Sequence, residues 1–101
     1  MDFELLTIPG CPNTAAARVV FDRALALEGT GCTARVQEVT SESEAAELDF
    51  HGSPTFRAAG HDLFPSDAAP AVSCRLYPSG GKMSGLPPLD DLRAALRQYS
   101  L

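Results

Sequence analysis

The sequence has no tryptophan, two methionines and only three cysteines, Cys11, Cys32 and Cys74. An odd, low cysteine count argues against the disulfide framework of a small secreted domain and points to a reducing, cytoplasmic setting. Positive charge is scarce as well. Lys82 and the arginines total eight against thirteen acidic residues, a formal net charge of −5. These basic residues do not cluster, so neither nucleic acid nor an anionic membrane is an expected partner. No apolar run approaches the length that spans a bilayer, and residues 1–8 are too short and too acidic for a signal peptide. There is no internal repeat and no linker long enough to divide the chain. What is present is one expected domain over residues 1–101, with 45% hydrophobic and 21% charged residues, enough for one modest core.

The order of elements carries most of the information. Residues 3–8 read as a short buried strand ended by Pro9-Gly10. Cys11-Pro12-Asn13-Thr14 leads into a helix over residues 15–28, where Ala16, Val20, Ala24 and Leu27 recur at helical spacing. Pro12 suits a first turn, where no backbone donor is needed, and Gly29 and Gly31 end the helix. Residues 32–37 alternate as a second strand. Ser41 with Glu44 fits a capping box for a short helix running to Leu48 or Phe50. Residues 56–59 read as a third strand and Gly60 as a turn. Asp62-Leu63-Phe64 suggests an extended hairpin, and residues 65–70 a loop. Residues 72–77 alternate as a fourth strand. Leu89, Leu92, Leu96 and Tyr99 stripe a last helix, with Asp90 and Asp91 in its first turn and Arg93 and Arg97 later, as the helix dipole favours. The expected architecture is α/β in the order βαβαββα: a mixed four-stranded sheet flanked by three helices. The first two strands are parallel with a right-handed crossover, and the last two antiparallel.

Within that order Cys11 is the sharpest feature. A thiol at a helix N-terminus faces unpaired backbone N–H groups and the positive end of the dipole, which favours the thiolate. Thr14, one turn in, can donate its hydroxyl to the sulfur. The alternative is a Cys11 that merely caps the helix. Cys74 reads either as a second, resolving thiol or as a small buried strand residue. In an antiparallel last pair it falls ~7–10 Å short of the sheet edge at the usual strand rise, whereas a disulfide needs Cα atoms within about 7 Å. That favours the buried reading, and Cys32 reads as buried more strongly still. Cys11, Cys74, His51 and His61 include no close zinc-type pair, so no metal is expected. Gly80-Gly81-Lys82-Met83 fails as a phosphate loop because no Ser or Thr follows the lysine.

The junction Leu5-Leu6-Thr7-Ile8-Pro9-Gly10-Cys11-Pro12-Asn13-Thr14, with Gly52-Ser53-Pro54-Thr55 opening the third strand, resembles the thioredoxin-like superfamily in its short, glutaredoxin-sized form. The resemblance covers residues 3–60 and 72–99. With Ser73-Cys74-Arg75-Leu76-Tyr77 added, the sequence is similar to small bacterial thioredoxin-like proteins. The resemblance implies the thioredoxin fold, a cis peptide bond at Pro54 beside a catalytic Cys11, and thiol–disulfide oxidoreductase chemistry. The second cysteine of the usual redox motif is Thr14 here, which excludes local dithiol exchange and leaves the monothiol pattern. The basic residue usual before that pattern is replaced by Ile8-Pro9-Gly10. Glutathione is the ligand this subgroup implies. A cluster shared between two copies, with one Cys11 from each and outside thiols, is its other implication. The residues themselves call for no cofactor.

The expected site is therefore Cys11, Thr14 and Cys74 as the chemical group, with Pro12, Asn13, Ser53 and Pro54 binding the substrate. That substrate is a disulfide-bearing protein or a small thiol, resolved by Cys74 or by an external thiol. The competing readings are a binding module for a thiol ligand, soft metal or partner strand, and a structural relic without thiol chemistry.

Overall fold

The computed structural model describes residues 2–99. Strand β1 (Phe3–Thr7) is one of the sheet's two inner strands. Helix α1 (Thr14–Leu27) returns the chain to strand β2 (Arg35–Glu38), which lies parallel to β1 with Leu5 opposite Val36. Helix α2 (Glu42–Leu48) leads to strand β3 (Thr55–Ala58), antiparallel to β1 with Leu5 opposite Phe56. The two-residue strand β4 (His61–Asp62) completes a mixed four-stranded sheet in the order β2-β1-β3-β4. A separate two-stranded sheet joins β5 (Tyr77–Ser79) to β6 (Lys82–Ser84), and helix α3 (Leu89–Tyr99) ends the described chain. Among the described residues no helix is long and apolar enough to cross a membrane.

Local chemistry explains the helix ends. Gly29 adopts φ +73°, and Gly29 N–H and Thr30 N–H donate to the Ala26 and Leu25 carbonyls, the bonding of a Schellman stop. Ser41 Oγ accepts from Glu44 N–H at 3.1 Å, while Glu44 Oε1 accepts from Thr40 N–H at 2.8 Å. The first bond is the cap read from the sequence; the Glu44 carboxylate reaches one residue past the N-cap, to Thr40, where a capping box would return to Ser41.

The pleat of β1 divides the core. Phe3 and Leu5 face α1 and α3 with Phe21, Leu25, Phe56, Tyr77, Leu92 and Leu96. Leu6 faces α2 with Val39, Ala45 and Phe50. Phe21 stands edge-on to Phe56 at 5.2 Å, and Phe56 to Tyr77 at 5.8 Å, so the aromatic rings tie α1, the sheet and the last hairpin together. Across the α1–α3 contact, Glu28 accepts from Arg93 Nε at 2.6 Å and Arg97 Nε at 2.9 Å. These two guanidinium groups, Arg97 foremost, hold its carboxyl below the ordinary range.

The second half of the chain differs from the expectation. Residues 72–77 do not form the fourth strand. Ala59 and Gly60 take φ +50° and +81°, the left-handed pair of a tight hairpin turn, so β4 follows β3 at once and occupies its free edge. The later segment is left to cross the end of the sheet. Val72 packs on the α2 side, and Tyr77 is buried on the α1–α3 side. Between them the chain touches β-structure at a single parallel bridge, Ser53 with Cys74.

Phe21 is wholly buried, edge-on to both Phe3 and Phe56. Phe21→Ala is expected to lower unfolding free energy by about 3–5 kcal/mol. Denaturant titration checks this, and a loss below ~1 kcal/mol would contradict the packing described.

Candidate functional site

The C-terminal end of β1 and the N-terminal end of β3 lie side by side, with Leu6 opposite Thr55. Cys11, Thr14, Ser53, Pro54 and Cys74 gather there, whereas Cys32 is partly buried at the other end of the crossover, its N–H bonded to Thr30 Oγ1. Cys11 follows the turn at Ile8–Cys11, closed by Cys11 N–H to the Ile8 carbonyl at 3.2 Å. It stands ahead of α1, whose N-cap is Asn13. The Asn13 side chain makes no capping bond, and the first turn of α1 holds no acidic residue. The other two helices carry Glu42 and Glu44, or Asp90 and Asp91, in their first turns. Among the described residues, α1 is the one helix with no carboxylate in its first turn, and Cys11 stands beside that end.

Partial burial pushes the Cys11 thiol up, but hydrogen bonding outweighs it. The Ser53 hydroxyl, the Asn13 and Thr14 N–H groups and the Thr14 hydroxyl together hold its pKa below that of an ordinary thiol. Ser53 Oγ is wholly buried and makes no well-formed hydrogen bond of its own. A buried hydroxyl left this way is unfavourable unless its neighbour accepts a proton, and the neighbour that does so most strongly is a thiolate at Cys11.

The Ser53–Pro54 peptide bond is cis. Tyr77 donates its hydroxyl to the Pro54 carbonyl, and Thr55 Oγ1 donates to the Gly52 carbonyl at 2.5 Å. Burial pushes the Tyr77 phenol well above its ordinary range, so it acts there as a donor. The backbone of Ser53 is not free. Its N–H donates to the Ser73 carbonyl at 2.8 Å, and its carbonyl accepts from Arg75 N–H at 2.9 Å. A partner strand pairing with Ser53 must first displace this segment.

The segment is held firmly. Ala71 N–H donates to the Phe50 carbonyl at 3.1 Å, and Val72 N–H to the Glu42 carboxylate at 3.3 Å. The Arg75 guanidinium donates to Asp62 Oδ2 at 2.7 Å and to the Phe64 carbonyl, and lies 4.9 Å over the Tyr77 ring. Gly52 makes the approach possible. It has φ +115°, and a Cβ there would lie 2.9 Å from Arg75 Cβ. Gly52 and Arg75 stand in the motifs quoted from the sequence, but neither is read there as a site residue, and nothing local shows that Arg75 reaches Asp62.

Cys74 departs from the favoured expectation: it is exposed, not a buried strand residue. The reason is topological, because residues 73–75 run parallel to Ser53 over the sheet end and do not lie inside an antiparallel pair. His51 and His61 stand apart from this arrangement. His51 Nε2 lies 3.2 Å from Asp49 Oδ1, and His61 stacks on Tyr99 at 5.6 Å. Among the described residues no three His, Cys, Asp or Glu side chains are placed to share a metal ion.

No protein-family model, no curated protein and no solved structure matches this chain. The site is therefore read from its own geometry.

Ser53→Ala removes the buried hydroxyl beside the sulfur. The pH profile for alkylation of Cys11 is expected to move to higher pH, with slower reaction at neutral pH. Iodoacetamide rates followed by peptide mapping test this. An unmoved profile would remove Ser53 from the account.

Proposed function

We propose that the chain is a thioredoxin-like domain whose Cys11 thiolate performs thiol–disulfide exchange. The observation that carries this reading is the setting of one sulfur between the unneutralised start of α1 and the orphaned hydroxyl of Ser53. Both favour negative charge at Sγ, and a half-buried thiol with such donors is a nucleophile at neutral pH. The cis bond at Pro54 next to Ser53 supports the thioredoxin-like reading.

In the step proposed, Cys11 Sγ attacks one sulfur of a disulfide R–S–S–R′. The Sγ–S bond forms, the S–S bond breaks, and R′S⁻ leaves to take a proton from water. Thr14 and Ser53 hold the thiolate before attack. Pro12 and Asn13 border the sulfur from the turn. Because the Ser53 backbone is already paired, the reading favours a small disulfide, with glutathione disulfide as the example, over an extended peptide added at that edge. An odd number of cysteines, three in all, suits a reducing cytoplasm for this chemistry.

A binding module without turnover is the second reading. The occupied Ser53 edge restricts it to a thiol ligand or soft metal at Cys11, since that edge offers a partner strand nothing unless residues 73–75 leave.

With a limiting small aromatic disulfide at neutral pH, Cys11 is expected to react at least ~10-fold faster than Cys32 or an unperturbed thiol. Cys11→Ser is expected to reduce the fast phase to background. Mass mapping of the modified cysteine checks the assignment, and equal reactivity at Cys11 and a free thiol would leave the binding-module reading in its place.

A further inference from the structure

The two thiols on this end of the sheet share one neighbour. Ser53 opens β3 where its start adjoins the end of β1, from which the Ile8–Cys11 turn leads, and it pairs with Cys74 through its backbone. Bridged residues of neighbouring strands lie about 4.8 Å apart, so Cys74 is one strand spacing from the residue that opens β3 at the Cys11 end of the sheet. We infer that Cys74 is the resolving thiol of Cys11, delivered by residues 71–75 acting as a built-in strap over the site. This inference rests on Cys11 being the nucleophile.

Three features argue that the strap is built for that position. Its backbone is fixed on both sides of Cys74, by Ser53 N–H to the Ser73 carbonyl and by Arg75 N–H to the Ser53 carbonyl. Its far end is anchored by Arg75 in the pocket of Asp62, Thr55 and the Phe64 carbonyl. Gly52 supplies the space against which Arg75 lies. Yet the residue at the centre of this fixed segment is exposed, unlike most unpaired cysteines, which are buried. The segment also lies where an incoming extended chain would pair, so the thiol that reaches a mixed disulfide on Cys11 first is the chain's own.

The step balances without any further group. Cys74, as its thiolate, attacks Sγ of Cys11 in the mixed disulfide Cys11–S–S–R. The Cys11–Cys74 bond forms, the bond to R breaks, and RS⁻ takes up the proton that Cys74 gave to water. Over both steps one disulfide R–S–S–R′ is reduced to RSH and R′SH, and the two cysteine thiols are oxidised to one disulfide. A dithiol reductant returns them to the starting state.

The test uses the full chain with one equivalent of 5,5′-dithiobis(2-nitrobenzoate), followed by intact mass and peptide mapping. The native protein is expected to release both halves of the probe and to carry a Cys11–Cys74 disulfide with no adduct. Cys74→Ser is expected to keep the adduct on Cys11, with a lifetime at least ~100-fold longer, since an intramolecular thiol acts at a high effective concentration. Cys74 is exposed, so the variant leaves the core intact, and circular dichroism verifies its fold. Equal adduct lifetimes in the two proteins, or a disulfide mapped to Cys32, would overturn the role of Cys74 while leaving Cys11 as nucleophile. A Cys74→Ser protein that takes up no adduct on Cys11 would overturn both.

Discussion

The backbone of Ser53, paired on both sides with residues 73–75, is the contact on which the arrangement of this end of the molecule depends. It halts the segment that passes from the α2 side of the sheet to the α1–α3 side. That crossing determines where Arg75 meets Asp62 and where Tyr77 enters the aromatic core to bond the Pro54 carbonyl. The same residue turns its buried hydroxyl to Cys11. Fold and chemistry thus meet in one residue, whose backbone is paired and whose buried hydroxyl has no hydrogen-bond partner of its own.

The electrostatic side of the account comes from what α1 lacks. A helix start leaves four N–H groups without internal partners, and α2 and α3 offset theirs with carboxylates. In α1 the corresponding positions are Thr14, Ala15 and Ala16, and the cap, Asn13, makes no side-chain bond. The uncompensated end is less favourable for the helix in isolation. A thiolate at Cys11 offsets it, so the charge that would stabilise the helix is the charge the chemistry requires.

Much of this was legible in the sequence because it depends on local rules. The Gly29 stop, the Ser41–Glu44 cap, the parallel crossover from β1 to β2 and the junction at Cys11 each follow from residues close together in the chain. The hairpin turning at Gly60 was legible too, and β4 extends it as read; the path of residues 65–77 was not. Alternation at Val72, Cys74 and Leu76 signals extended backbone but does not name its neighbour, and the choice was made by the Ala59-Gly60 turn, which places β4 on the open edge of β3. Once that edge is filled, the later segment has no sheet to join. The exposure of Cys74 and the anchoring role of Arg75 follow from this displacement, and no signal near either residue announces it.

The central claim is that Cys11 carries a stabilised thiolate, and titration of that thiolate tests it most directly. In a chain with Cys32→Ser and Cys74→Ser, Cys11 is the remaining thiol, and its ultraviolet absorbance follows ionisation without any reagent. Because the hydrogen bonds favour the charged form, the thiolate persists as pH falls below the range of a free thiol, and the midpoint is expected below that of an unperturbed cysteine titrated alongside. A midpoint at or above that value would mean that burial outweighs Ser53, Thr14 and the start of α1, and would contradict the account.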